Sequence, residues 1–126
     1  MLKYTQNMIL EQNIYQEPKF DYVIIKTTKA RVQERGGDIY QATRSAWRVG
    51  ERITQYKYVV SVVEKVVQAV FVVDRWHKIE DGFDRGRYEF TGTYAHGEEF
   101  DDLIGKTIPQ KYRVPGMASP VLYKKV

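Results

Sequence analysis

Two long apolar runs, separated by only two polar residues, constrain the fold of this chain more than any other feature. Residues 57–63 and 66–76 are rich in valine and aromatic side chains, and Glu64 and Lys65 lie between them. β-Branched and aromatic residues favour strands, and a two-residue connection between two such runs is typical of a hairpin. The sequence therefore predicts an antiparallel pair of strands over residues 57–76.

Three shorter segments predict further strands. Residues 21–27 are again β-branched and aromatic, and residues 87–94 alternate between apolar and polar side chains. Residues 120–123 begin with a proline and predict a last, returning strand. The basic segment 28–37 ends in two glycines and is interpreted as a loop.

The main helix is predicted over residues 38–50. Asp38 can cap its first turn, Gln41 completes a capping-box pattern, and Gly50 provides a stop. The side chains that repeat at a helical period and form the predicted packing face are Ile39, Ala42, Thr43 and Ala46. A turn is expected over residues 51–56, and a short second helix over residues 98–104.

These elements describe an α+β fold: a small, curled, mostly antiparallel β-barrel with one main helix and a short second helix. A chain of 126 residues holds one such core. We expect an N-terminal arm at residues 1–20 and a single domain at residues 21–126. The chain has no cysteine, no signal-peptide pattern and no apolar run long enough to cross a membrane, so a reducing, cytoplasmic location is expected.

The formal net charge is +4, and the charges are unevenly distributed. Basic side chains dominate residues 26–57 and the chain after Gly105, whereas residues 80–102 are acidic. This asymmetry predicts a positive and a negative face. The positive face favours an anionic partner, although two simply solvated faces explain the pattern equally well.

The sequence offers little support for catalysis. It has two histidines, neither of them at metal-ligand spacing with the other, and none of the glycine-rich phosphate-binding or nucleophile motifs. The one group that resembles a metal-dependent nuclease site consists of Glu98, Glu99, Asp101 and Asp102. Carboxylates at these positions are more typical of the first turn of a short helix. We therefore predict no catalytic residue, no metal and no cofactor, and keep a metal-dependent nuclease as a minor alternative.

Aromatic and arginine side chains give a better candidate site. On a helix that begins at Asp38, four of them share one face: Tyr40, Arg44, Trp47 and Arg48. Rings stack on bases, and guanidinium groups bind phosphates, so this face suits a nucleotide. In the alternative interpretation, Trp47 anchors the helix to the core while Arg44 and Arg48 pair with acidic neighbours.

A second candidate set flanks the acidic loop at the ends of two adjacent predicted strands. It consists of Trp76, Arg85, Arg87 and Tyr88. Aromatic and arginine side chains at strand ends are what a ligand-binding rim would use. A strand-end tryptophan that covers the barrel mouth is the alternative.

The segment Ile39-Tyr-Gln-Ala-Thr-Arg-Ser-Ala-Trp-Arg-Val49 resembles an "IYEATRGAWRV"-type motif, and residues 69–76, 87–92 and 103–109 resemble its companion blocks. That motif belongs to a small domain found alone in bacteria and phages or attached to GIY-YIG nuclease-like domains. The resemblance implies a PUA-like fold of the EVE and ASCH type, whose members are small barrels that bind RNA or modified bases. The chain has no room for a GIY-YIG catalytic core, so nuclease activity is not implied.

The resulting hypothesis is a non-enzymatic domain that binds a nucleotide or a nucleic acid. The ligand could be a flipped or modified base, or a free or cyclic nucleotide that a phage protein sequesters. The alternative is a phage or bacterial inhibitor, with an anti-defence role, that acts on a host factor through its charged surface. No membrane partner is expected, and the oligomeric state is left open.

Overall fold

The computed structural model describes residues 13–113 and 119–126. Five strands form one sheet: β1 (Tyr22–Thr27), β2 (Tyr58–Val63), β3 (Val66–Lys78), β4 (Tyr88–Tyr94) and β5 (Val121–Lys124). Their order in the sheet is β4-β3-β2-β1-β5. The α+β class is confirmed, but within the described residues β4 and β5 are not paired to each other, so the sheet is open and the predicted barrel closure is not confirmed.

Within the described residues the sheet is mostly antiparallel, as predicted, but one of its four neighbouring strand pairs is parallel. The predicted hairpin is confirmed, because β2 pairs antiparallel with β3 around the turn at Glu64 and Lys65. In contrast, β1 pairs parallel with β2, with Val23 beside Val59 and Thr27 beside Val63. Parallel neighbours need a long crossover, and the chain between these two strands supplies one that contains two helices and a 3-10 segment.

The first helix of this crossover, α1 (Lys29–Glu34), corrects the loop predicted over residues 28–37. The Thr28 hydroxyl accepts a hydrogen bond from the Arg31 amide at 3.1 Å and so caps the first turn. Gly37, with φ of +81°, donates its amide to the Val32 carbonyl at 2.8 Å. The two glycines therefore end a helix, as a left-handed C-terminal residue commonly does.

The second helix, α2 (Ile39–Arg44), is half as long as predicted. Its start is confirmed, because the Asp38 carboxylate accepts from the Gln41 amide at 3.2 Å. The backbone becomes extended at Ser45, and Trp47 forms a β-bridge with Tyr88. Pairing with β4 thus replaces the last turns that the helical period predicted.

The sheet is covered on both faces by two buried clusters. Alternate residues of β1 point to opposite sides: Tyr22 and Ile24 join one cluster, and Val23 and Ile25 join the other. Burial on both faces explains why β1 and β2 are almost continuously apolar. The remaining short elements are a 3-10 segment at Glu51–Gln55, helix α3 (Glu98–Asp101) and a 3-10 turn at Gln110–Tyr112, so the turn expected over residues 51–56 is confirmed.

The predicted arm lies partly against the body of the protein. Tyr15 is only 3% exposed, and its hydroxyl lies 2.8 Å from that of Tyr22. Glu17 accepts hydrogen bonds from Tyr22 at 3.0 Å and from Tyr112 at 2.5 Å. Burial raises the pKa of all three tyrosines above the ordinary value. Residues 1–12 of the predicted arm lie outside the described residues.

Candidate functional site

The common helix face predicted for Tyr40, Arg44, Trp47 and Arg48 is wrong, because α2 ends at Arg44. Three of these residues instead lie along β4, the last strand at one side of the sheet. Arg48 is exposed just beyond them. We refer to Tyr40, Arg44 and Trp47 as the edge cover.

The edge cover bonds to alternate residues of β4. The Tyr40 hydroxyl accepts the Gly92 amide at 3.0 Å, and Arg44 donates Nε to the Phe90 carbonyl at 3.0 Å. Trp47 and Tyr88 exchange two backbone hydrogen bonds, each 2.9 Å long. An edge strand presents unpaired amides and carbonyls, and these three residues satisfy part of that row.

Trp47 belongs to the core rather than to an open ligand surface. It is 6% exposed, and its indole Nε1 donates to the Thr43 carbonyl at 2.8 Å. The Arg31 guanidinium lies 4.6 Å from the ring centre and is itself bonded to the carbonyls of Ala42 and Ser45. The indole is therefore enclosed, which matches the alternative in which Trp47 anchors this segment.

Arg44 likewise has internal partners. Besides its bond to Phe90, its Nη2 lies 3.5 Å from the Glu89 carboxylate. Trp76, from the second predicted set, is half-buried, and its Nε1 donates to the Tyr56 carbonyl at 2.8 Å. Tyr88 is 8% exposed. Each of these polar or aromatic groups therefore contributes to packing where the structure places it.

Arg85 and Arg87 occupy a different environment, the loop that joins β3 to β4. This loop is held by backbone bonds from Ile79 to Arg87 and from Gly86 to Ile79, both 2.8 Å long. Gly82 and Gly86 have positive φ values of 85° and 89°, which permit its two sharp turns. The loop is thus an ordered hairpin end rather than a loose connection.

Phe83 is the residue that the sequence interpretation missed. It is 95% exposed at the end of this hairpin, and the Arg87 guanidinium lies 5.9 Å from its ring centre. Arg87 also pairs with Asp84 at 3.4 Å. The signal available in the sequence was a single aromatic residue placed between two glycines in an otherwise polar loop. We call Phe83, Arg85 and Arg87 the hairpin surface.

The hairpin surface continues towards α1. The pKa of Arg31 is lowered, first by burial and then by the positive charges of Arg35 and Arg87, while Asp84 and Glu34 act in the opposite direction. Arg31 and Arg87 are therefore close enough to repel each other. Carboxylates and guanidinium groups therefore both act on Arg31 at this side of the molecule, and their effects partly offset each other.

The described residues, 13–113 and 119–126, contain no group of three histidine or acidic side chains arranged to hold a metal ion. The carboxylates of α3 and the following residue, Glu98, Glu99, Asp101 and Asp102, are all exposed. In the same part of the chain, no helix is both long and apolar enough to cross a membrane.

Comparison with known proteins adds no relative: no protein-family model, no curated protein and no solved structure matches this chain. The resemblance to PUA-like domains stays a prediction.

Proposed function

We propose that this protein is a non-enzymatic nucleic-acid-binding domain, and that it uses the hairpin surface to hold an unpaired base. The observation that carries the proposal is the exposure of Phe83, which is 95% accessible on a hairpin end that its own backbone bonds hold in place. An aromatic ring in this position is free to stack on a flat partner, which would remove its faces from water.

The chemistry around Phe83 matches a nucleotide chain. A base can stack on the free ring, and base–aromatic stacking contributes about 1–3 kcal/mol. Arg85 and Arg87 follow the ring two and four residues later and supply guanidinium groups for phosphates. Asp84 holds Arg87 at 3.4 Å and orients it next to the ring. The ligand class that the sequence predicts is therefore retained, and the proposed binding surface is the hairpin rather than α2.

The resemblance to PUA-like domains supports the same ligand class, because members of that group bind RNA or modified bases. An unpaired base is the more specific expectation, since an exposed ring cannot insert between paired bases without cost. Single-stranded or flipped bases are stacked at lower cost.

The test is a fluorescence-anisotropy titration with single-stranded DNA, single-stranded RNA, duplex DNA and single nucleotides. Phe83→Ala should weaken binding of the single strands about tenfold, in line with the loss of one stacked base. Ile104→Ala, which removes an apolar side chain that is 43% exposed elsewhere, is the matched control and should bind as the parent does.

A salt titration of the same complexes separates a polymer from a single nucleotide. Binding through several phosphates weakens steeply as salt rises, whereas a mononucleotide gives a shallow slope. If the parent protein binds none of the probes, or if Phe83→Ala binds them as tightly as the parent, the proposal is wrong. Either result would direct attention to a protein partner, as in the inhibitor hypothesis.

A further inference from the structure

Strand β3 is longer than the strands beside it, and its C-terminal part has a strand on one side only. Within the described residues, β2 pairs with β3 no further than Val72, and the Val73 amide then donates to the Lys57 carbonyl at 2.7 Å. The pairing of β3 with β4 continues to Lys78. The two strands therefore project beyond the rest of the sheet as a ribbon, and the hairpin surface with Phe83 lies at the end of it.

The hydrogen bonds of this ribbon show which of its backbone groups face away from β4. Residues along one strand of an antiparallel pair alternately bond to the partner strand and face away from it. The Ile79 amide donates to the Arg87 carbonyl at 2.8 Å, so Ile79 bonds towards β4. Lys78 and Trp76, one and three residues earlier, therefore present their backbone amides and carbonyls on the opposite side. In the part of the chain that the structure describes, no strand pairs with β3 there, because β2 has already ended.

A cavity of about 360 Å³ lies along this open edge. One side of it is formed by residues 73–76 of β3, and the other side by residues 54–57, which lead into β2. Trp76 is half-buried in its wall, and the indole Nε1 is fixed by its bond to the Tyr56 carbonyl at 2.8 Å. The cavity is reached from solvent, because most of the residues that line it are exposed: Thr54, Gln55, Lys57, Asp74 and Arg75.

The charged side chains at this cavity are Lys57, Asp74 and Arg75. None of the three forms an ion pair with another residue in 13–113 or 119–126. The Lys57 ammonium lies 5.5 Å from the centre of the Tyr58 ring and stays exposed. Two cations and one anion give the cavity a net positive charge, and both cations keep donors that can bind phosphate oxygens.

We propose that this cavity receives a second segment of the nucleic-acid strand whose unpaired base stacks on Phe83. The inference rests on the proposed function, and it adds that the ligand is a single strand of several nucleotides rather than one nucleotide. Lys57 and Arg75 bind its phosphates, and Trp76 in the cavity wall gives a base an aromatic neighbour. The outward-facing amides and carbonyls of β3 offer hydrogen bonds to the edge of that base, which an unpaired strand leaves accessible.

One strand can reach both contacts, because the cavity and the hairpin surface belong to the same ribbon. A strand rises about 3.3 Å per residue, so Trp76 is about 7 Å from the end of β3 at Lys78. Glu80 and Asp81 carry carboxylates just beyond Lys78, so binding depends on the contacts at the two ends of the ribbon rather than on the charge of the ribbon as a whole. An extended acidic peptide can use the open edge and the cations but gains nothing from the flat ring of Phe83, which favours nucleic acid.

The test is a length series of labelled single strands, from a mononucleotide to about ten nucleotides, titrated by fluorescence anisotropy. Affinity should rise once the strand is long enough to reach the cavity, and the fluorescence of Trp76 should then be quenched. Trp76→Phe should remove this quenching, because Trp47, the other tryptophan of the chain, is buried and does not line the cavity. An affinity that does not rise with length, or quenching that persists in Trp76→Phe, overturns the proposal.

Variants assign the added affinity to this cavity. Arg75→Gln and Lys57→Gln should each weaken binding of the longest strand about threefold to tenfold and leave mononucleotide binding unchanged. Lys125→Gln removes the same charge from an exposed position outside the cavity and should leave both unchanged. Equal losses in all three variants would mean general attraction by a basic protein and would overturn the site. Binding of a poly-aspartate chain that is lost in the same two cavity variants would also overturn it, in favour of an acidic peptide.

The cavity and the hairpin surface can fail separately in these measurements. Phe83→Ala should weaken binding of the mononucleotide and of the longer strands alike, whereas the cavity variants should affect only the longer strands. If Phe83→Ala alone loses affinity, the cavity proposal is overturned and the hairpin surface stands. If Arg75→Gln and Lys57→Gln lose affinity while Phe83→Ala binds as the parent does, the function proposed for the hairpin surface is wrong, and so is the shared strand inferred from it.

Discussion

The edge cover and the hairpin surface contain the same kinds of side chain but use them differently. In the edge cover, Tyr40, Arg44 and Trp47 are bonded to the backbone of β4. On the hairpin surface, the ring of Phe83 is 95% exposed, and Arg87 pairs with Asp84 in the same loop. Residue type alone therefore does not separate side chains that pack against the backbone from side chains that stay exposed.

The difference arises from what the neighbouring backbone requires. β4 is the last strand at its side of the sheet, and polar groups of its backbone need partners. The Tyr40 and Arg44 side chains are long enough to reach them, and Trp47 meets them with its own backbone amide and carbonyl. The hairpin end satisfies its own amides through turns at Gly82 and Gly86, so its side chains are left for the solvent or a ligand.

The largest contrast is expected for the two aromatic residues. Trp47→Ala should lower the free energy of unfolding by about 3–5 kcal/mol, because it removes a buried ring and its bond to Thr43. Phe83→Ala should change it by less than about 0.5 kcal/mol, since Phe83 has few contacts to lose. Urea unfolding followed by circular dichroism measures both, and similar values for the two variants would remove the distinction between the regions.

The arginines should show a smaller contrast. Arg44→Gln should lower the free energy of unfolding by about 1–3 kcal/mol, because it removes a charged donor to the Phe90 carbonyl and the ion pair with Glu89. Arg87→Gln should lower the free energy of unfolding by less than about 1 kcal/mol, which is the usual range for an exposed or partly exposed ion pair. The comparison is best made by urea titration at low and high salt. A larger loss of stability in Arg87→Gln than in Arg44→Gln would contradict the packing role assigned to Arg44.

Tyr40→Phe is the mildest of the three substitutions in the edge cover. It keeps the ring against Phe71 and removes only the hydroxyl that accepts the Gly92 amide, so the expected loss is about 0.5–1.5 kcal/mol. Hydrogen exchange adds a local measurement: the Gly92 amide should exchange faster in this variant. Protection of Gly92 equal to that in the parent would mean that another group covers β4 at this point.

Local patterns predicted most of the elements and failed where a distant partner decides the conformation. The β2–β3 hairpin and the Asp38 cap depend on neighbours in sequence, and both are confirmed. The end of α2 depends on Tyr88, more than 40 residues away, because Trp47 leaves the helix to pair with it. The spacing of side chains within residues 38–50 does not reveal this pairing with a distant strand.

The same reasoning applies to the candidate sites. Arg85 and Arg87 were predicted because they flank the acidic loop at the end of a predicted strand, but the exposure of Phe83 depends on how the whole hairpin folds.

The edge cover also has a consequence for how copies of this protein associate. An open row of amides and carbonyls on an edge strand is a template on which another chain can add a strand, and repeated addition leads to fibrils. Here a second copy would first have to displace Tyr40, Arg44 and Trp47 from β4. At the opposite side, β5 has only four residues to offer. Sheet-to-sheet growth is therefore hindered at both ends, and variants that loosen the edge cover should aggregate more readily as well as unfold more easily.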